Sequence, residues 1–154
     1  MTVVAHHVSA DEVRAVLSAE QRAAVTVIEC EDRGSTAAVP RNEALRRVKG
    51  DVIAFIDDDV CVHRGWSAAL RQAYSDPTLS AAGGRTLNGL PGEEDNDEPV
   101  GRYFPDGALT GNFAARQAAP IEIDHGIGAN MSFRRSVLAD LGGFRDDYPG
   151  TALR

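Results

Sequence analysis

Val52-Ile53-Ala54-Phe55-Ile56-Asp57-Asp58-Asp59 sets five apolar residues directly against three carboxylates. Four of the five are β-branched or aromatic, and Lys49-Gly50-Asp51 precedes them. Such a short apolar run reads as a strand buried on both faces, as in a parallel sheet covered by helices. Acids at its carboxyl end lie where open α/β sheets hold their ligands. Clustered carboxylates repel one another, so a cation is needed to compensate them. A hard divalent ion with oxygen ligands, itself carrying phosphates, matches that chemistry. A strand-end turn whose acids cap the next segment is the plainer alternative.

Upstream of this strand the pattern is regular. Thr2–Ala5 is a short strand candidate, and Ser9 with Glu12 makes a capping box that starts a helix near Ala10. Val13, Val16 and Leu17 give that helix an apolar face. Val25–Ile28 is a second strand, followed by Glu29, Glu31 and Asp32 and a Gly34-Ser35-Thr36 loop. Pro40 suits the first turn of a helix whose inner face is Ala44, Leu45 and Val48 and whose stop is Gly50. Strand, helix, strand, helix, strand implies a right-handed, Rossmann-like parallel half. That topology would bring Asp57–Asp59 near Glu29–Asp32 and His6-His7.

Downstream, Trp66–Tyr74 reads as a helix with Trp66, Ala69, Leu70 and Ala73 inward, ended by Asp76-Pro77. Leu79–Leu87 is a weak strand broken by Gly83-Gly84. Pro91–Pro99 holds Glu93, Glu94, Asp95, Asp97 and Glu98, a like-charge run expected to be solvated and mobile. A lid over a cationic or hydroxylated substrate is the sharper alternative. Tyr103–Gln117 has no clear assignment. Ile121–Asp124 alternates like a strand edge, Ala129–Phe133 reads as a strand, and Ser136–Leu141 as a short helix closed by Gly142-Gly143.

The 154 residues make one ordinary domain, and 43% hydrophobic with 25% charged residues is the balance of a soluble, packed chain. No apolar run approaches the ~20 residues of a membrane helix. The N-terminus lacks the basic and apolar regions of a signal peptide, so cytoplasmic residence is expected. A net charge of −7 argues against nucleic acid or an anionic membrane as the main partner. Cys30 and Cys61 have no CxxC partner and are expected to be reduced thiols.

Pro40-Arg41-Asn42-Glu43-Ala44-Leu45, the Lys49–Asp59 segment, Gly128-Ala129-Asn130-Met131-Ser132-Phe133-Arg134-Arg135 and Leu141-Gly142-Gly143-Phe144 together resemble the inverting family 2 glycosyltransferases of the GT-A fold. Trp66–Pro77 is similar to that family's "GW…DP" helix. A DxD alone is a weak signal. In order with the upstream Arg-Asn and the downstream Gly-x-Asn-Met it is specific. The resemblance implies an α/β GT-A, Rossmann-like and mostly parallel sheet with helices on both faces and an incomplete C-terminal part. It implies one domain over 1–154, with a nucleotide-binding half at 1–60, a partial acceptor-side half at 61–154 and the acidic loop at 91–99.

The resemblance also assigns roles. A hexosyltransferase-type enzyme would take a nucleoside-diphosphate sugar, with Mg2+ or Mn2+ on the diphosphate, and transfer the sugar to an acceptor hydroxyl. Asp59 and Asp57 would be the metal ligands, with Asp57 and Asp58 also serving the ribose or supporting the metal through water. Glu29, Glu31 and Asp32 compete as reader of the nucleobase, and Asp32 is chosen because Gly34-Ser35 follows it. Arg41 suits a phosphate or base contact, since its planar fork matches oxyanions; a surface helix arginine is its alternative. Asn130 would lie on the acceptor side of the sugar, or be a strand-end amide satisfying backbone groups.

The chain departs from the family at His6-His7-Val8, where a Thr-Tyr-Asn type of turn is usual, and around Glu29–Arg33. The family's Glu-Asp motif, which supplies the catalytic base, would follow the Gly-Gly-Phe segment, yet the sequence stops at Arg154. The expectation is therefore of an incomplete domain, or of one that recruits Asp124, His125, Asp146 or a partner's carboxylate as base. A dimer or partner subunit would cover apolar surface that a missing segment exposes. The acceptor stays open between a glycan, a lipid-linked molecule and a small molecule. A non-catalytic sugar-nucleotide-binding or partner-regulating domain of the same fold is the rival function. A haloacid-dehalogenase-type phosphatase is disfavoured because Lys49, the only lysine, lies upstream of the acids. A nucleotidyltransferase is disfavoured because Thr2–Ser9 is not a basic glycine-rich loop.

Overall fold

The structure is a computed structural model that describes residues 1–31 and 36–147. Asp32, the chosen base reader, lies outside the described residues. The chain divides into two compact units, one of residues 1–51 with 135 onward and one of residues 52–134.

In the first unit, β1 (Thr2–Ala5) and β2 (Thr26–Glu29) pair in parallel, Thr2 opposite Thr26 and Ala5 opposite Glu29. The crossover between them is helical, as parallel pairing requires. It holds two short helices, where the sequence reading found one. Helix α1 (Ala10–Val16) starts at the expected capping box: Glu12 N–H donates to Ser9 Oγ at 3.2 Å and Ser9 N–H to Glu12 Oε2 at 2.8 Å. Helix α2 (Ala19–Ala24) has the same device in Ser18 and Gln21, at 3.2 and 2.8 Å. The Ser-x-x-Gln spacing was there to be read. Each such cap stabilises by about 1 kcal/mol.

Helix α3 (Ala38–Leu45) contains Pro40 in its first turn, as expected, and stops five residues before Gly50. Asn42 on α3 is clamped to the segment that follows α5 (Arg135–Asp140). Its Nδ2 donates to Phe144 O and its Oδ1 accepts from Phe144 N–H, both at 2.8 Å. Gly143 turns at φ +90°, and a Cβ there would stand 2.6 Å from Asn42 Oδ1. Glycine is required twice over, for backbone and for space.

In the second unit, β5 (Asn130–Arg134) is central, with β3 (Val52–Ile56) and β4 (Ala81–Gly83) antiparallel on either side. The α/β class holds, but β3 pairs with β5 rather than extending a parallel set. Its apolar run is not buried on both faces either: Ile53 is buried, while Ile56 is 37% exposed. An edge position explains this, since β5 is the one hydrogen-bonded neighbour of β3 among the described residues.

The interior of this unit is knit by polar contacts. Ser132, 2% exposed, donates to Ala82 O at 2.9 Å and accepts from Tyr74 Oη at 3.0 Å. Burial raises the Tyr74 pKa above the ordinary phenol value. Arg134 donates to the carbonyls of Leu79, Tyr74 and Asp76 at 2.8, 3.0 and 2.6 Å, which fixes the end of α4 (Trp66–Ala73) against β5. Trp66, Leu70 and Tyr74 turn inward at helical spacing, whereas Ala69 and Ala73 are exposed, contrary to expectation.

The unassigned Tyr103–Gln117 stretch contains a hairpin, with Thr110 N–H on Arg102 O at 2.9 Å and Phe104 N–H on Ala108 O at 2.8 Å. Its turn is Phe104-Pro105-Asp106-Gly107, with φ +87° at Gly107. Pro-Asp-Gly is a turn signal with a mechanism, and it was legible. Ile121–Asp124 is not a strand. The acidic loop is stitched down rather than merely solvated: Glu94 pairs with Arg85 at 2.5 Å and with Arg116, and Glu93 accepts from the N–H groups of Asn88 and Gly89 at 2.9 Å each.

Candidate functional site

The second unit gathers most of the expected site. Asp57, Asp58 and Asp59 leave β3 into a turn in which Val60 N–H donates to Asp57 O at 3.3 Å, and all three are exposed. Asn130 opens β5 directly opposite Ile56, so it stands at the level where the acids begin. Its Oδ1 accepts from Trp66 Nε1–H at 3.1 Å, and its backbone N–H donates to Ile127 O at 3.2 Å. A Cβ on Gly84 would come 2.4 Å from Asn130 Nδ2, so glycine is what lets this amide lie there. Asn130 and the acids are the residues that the sequence singled out here. Sequence reasoning missed that the indole of Trp66 holds Asn130.

Asp57, Asp58 and Asp59 present carboxylate oxygens at the β3 exit, the hard ligand type that magnesium and manganese take. Among the described residues no group of three or more His, Cys, Asp or Glu is arranged to hold a metal by itself.

The first unit holds the other candidates. Arg41 is half-buried on α3, its guanidinium 5.8 Å from the Phe144 ring centroid. That is cation–π range, a setting neither alternative for Arg41 anticipated. Glu29 accepts from Ala10 N–H at 3.0 Å and so caps the start of α1. A cleft of about 390 Å³ opens on Glu29, Cys30, Glu31, Asn42, Glu43 and Asp146, with Arg46 and Arg47 at its side. Glu43 pairs with Arg46 at 2.5 Å and Arg47 at 2.8 Å. The Arg47 hydrogen bond is foremost in holding the Glu43 carboxyl below its ordinary value. His6 Nε2 is buried with no hydrogen-bond partner among the described residues, and His7 adopts a left-handed φ of 64°.

The three candidate bases fall in different units. Asp146 belongs to the first unit and lines its cleft. Asp124, in the second, forms an ion pair with Arg102 at 3.2 Å and accepts from Tyr103 N–H at 3.0 Å. His125 Nε2 lies 2.8 Å from Thr110 O. A carbonyl only accepts, so that nitrogen carries the proton, and Nδ1 is the basic atom of the neutral ring. Both cysteines are thiols rather than disulfide partners, Cys30 buried and Cys61 exposed. No described helix is long and apolar enough to cross a membrane.

Comparison with known proteins identifies the family. The profile of Glycosyl transferase family 2 matches residues 7–142, and the chain belongs to that family. It is 27% identical over 119 residues to a glucosyl-dolichyl phosphate glucuronosyltransferase of Haloferax volcanii, covering 77% of this chain and 37% of the relative. It is 31% identical over 112 residues to a pre-mycofactocin glycosyltransferase of Mycobacterium tuberculosis, covering 70% of this chain and 22% of the relative. The chain thus spans well under half the length of these curated relatives. A mannosyltransferase of Pyrobaculum calidifontis, solved with GDP-Man and Mn2+, superposes with a TM-score of 0.58 at 21% identity, over 95% of this chain and 38% of that one. That likeness establishes the GT-A fold.

Proposed function

We propose that this member of glycosyl transferase family 2 takes a nucleoside-diphosphate sugar and passes the sugar, with inversion, to an acceptor hydroxyl. The donor is held at the exit of β3 with a divalent ion, Mg2+ or Mn2+. One observation carries the reading: three exposed carboxylates leave an edge strand level with Asn130, which Trp66 fixes in place. The GDP-Man and Mn2+ bound by the Pyrobaculum mannosyltransferase support it.

In this reading Asp59 and Asp57 hold the ion and Asp58 orients the ribose. When bound, the ion neutralises charge on the departing diphosphate. Asn130 fixes the sugar on its acceptor side. Arg41 contacts phosphate or base, and Asp32 reads the base. Residues 1–60 form the nucleotide-binding half and 61–154 the acceptor-side half. Cytoplasmic residence remains part of the proposal.

A second reading, a sugar-nucleotide-binding domain without transfer, has one observation in its favour. Asp124 and the Nε2 of His125 are engaged by the hairpin through Arg102, Tyr103 and Thr110. Calorimetric titration with UDP, GDP and dTDP, each with and without Mn2+, tests the donor site. Metal-dependent binding of one nucleotide is expected, and absence of binding by folded protein defeats the donor assignment. Donor binding with neither transfer nor hydrolysis would select the second reading.

A further inference from the structure

We infer that the acidic loop forms one wall of an acceptor cleft, and that the acceptor group it takes is an uncharged carbohydrate rather than a phosphorylated one. The inference rests on the transferase reading above. A cleft of about 500 Å³ lies wholly within the second unit, lined by Thr86, Asn88, Glu93, Asn96, Asn112 and Phe113 among others. Its size falls within the range of small-molecule sites.

The lining chemistry selects the ligand. Among the described residues no lysine, arginine or histidine lines the cleft, and Glu93 is its one ionisable group. A phosphate would meet a carboxylate and no compensating cation. The Glu93 carboxylate is fixed in the wall by three donors, Asn88 N–H and Gly89 N–H at 2.9 Å each and Asn88 Nδ2 at 3.3 Å. A sugar avoids that repulsion. Its hydroxyls can donate to the side-chain oxygens of Asn88, Asn112 and Thr86 and accept from the amide nitrogen of Asn96, all of which line the cleft. Phe113 offers an apolar face for C–H groups.

The walls are built in advance. Glu93 closes the Asn88–Glu93 loop on itself. Asn112 Nδ2 donates to Asn96 O at 3.0 Å and to Glu98 O, and Thr86 N–H donates to Phe113 O at 2.9 Å. A preformed cleft lowers the ordering cost of binding. It also adjoins the strand end: Ile127 lines the cleft and its carbonyl accepts from Asn130 N–H at 3.2 Å, with Asn130 opposite Ile56. The donor's diphosphate has no cation in this cleft to hold it, so the acceptor is the substrate that enters.

Amide-shift mapping on the 15N-labelled chain tests this, with Mg2+ and a nucleoside diphosphate present. The neutral probes are methyl α-D-mannopyranoside and methyl β-D-glucopyranoside, and the anionic probe is inorganic phosphate. Neutral glycosides are expected to move the amides of residues 86–96 and 111–114, and phosphate to leave them still. Asn88→Ala should weaken glycoside binding about threefold to tenfold, the loss of one neutral hydrogen bond. Leu90→Trp, at a cleft residue 63% exposed in the free chain, should abolish it by filling the space while nucleotide binding is unchanged. Nucleotide binding without glycoside shifts in these residues would overturn the cleft and leave the donor site standing. Phosphate shifts in the same amides would overturn the chemistry assigned. Glycoside binding without any nucleotide binding would overturn the acceptor role together with the transferase reading.

Discussion

Asn42 and Asn130 are both asparagines in segments that carry the family likeness, and the two units use them differently. Asn42 turns both amide atoms onto the backbone of Phe144, 102 residues away, and closes a contact inside the first unit. Asn130 gives its carbonyl to the indole of Trp66 and stands beside an open strand end tipped with carboxylates. Arg134 resembles Asn42, since its guanidinium is fixed on backbone carbonyls. A motif residue saturated by its own backbone serves the fold. One whose side-chain bond among the described residues is to Trp66 alone, beside exposed, like-charged groups, is in the proposed reading placed for a ligand.

The sharpest way to break this contrast is to empty one member of each kind. Asp59→Ala should lower metal-dependent nucleotide affinity by roughly a hundredfold or more, and removing Mg2+ or Mn2+ from the unaltered chain should do the same. The urea midpoint should stay put, because Asp59 is exposed. Affinity unchanged by the substitution would remove Asp59 from the metal site. Asn42→Ala should behave in reverse. It deletes two 2.8 Å hydrogen bonds and strands a part-buried N–H and C=O, a loss of about 2–3 kcal/mol. Denaturant unfolding would show it, and nucleotide affinity of the folded fraction should be preserved.

Asn130→Ala lies between the two. It releases the indole N–H and opens space beside Gly84, for about 1–2 kcal/mol. Trp66 is the only tryptophan, so a red shift in its emission reports the same event optically. A shift without loss of sugar-nucleotide affinity would move Asn130 into the company of Asn42.

What was legible followed what is local. The Ser9–Glu12 box, β1, β2, β3, β5 and the Gly142-Gly143 stop depend on neighbours in sequence and formed within a residue of the reading, whereas Ile121–Asp124 is not a strand and Leu79–Leu87 keeps only Ala81–Gly83 as one. The Ser18–Gln21 box and the Pro-Asp-Gly turn obeyed the same rules and were overlooked. The antiparallel partner of β3 was not legible. It enters some seventy residues later, and an apolar run carries no mark of which edge it will occupy. The clamp of Asn42 on Phe144 was hidden for the same reason, although both ends lay in segments already singled out. Of the proposed site, the acids and Asn130 were visible as residue types at a spacing. The Trp66 contact and the cleft behind the acidic loop are products of packing.

The smallest effect expected is one of pH, and it probes the region that sequence misjudged most. Five acids in Glu93–Glu98 looked like a solvated run, yet Glu93 and Glu94 are bonded. The Asn88 backbone N–H is foremost in holding Glu93 below the ordinary glutamate value, and the Arg116 hydrogen bond is foremost for Glu94. A carboxylate whose folded pKa is lowered stabilises fully above its unfolded value and loses that contribution as the pH falls through the folded one. The loop should therefore hold at neutral pH and at the ordinary glutamate value, and come loose only below it. Both groups are open to solvent, so the change should appear in the amide shifts of residues 88–98 and 112–116 and barely in the unfolding midpoint. Added salt should loosen the Glu94 end, which is held by charge pairs with Arg85 and Arg116, more than the Glu93 end, which is held by backbone N–H groups. Equal response of both ends to salt would mean that the loop is held by net charge rather than by these individual contacts.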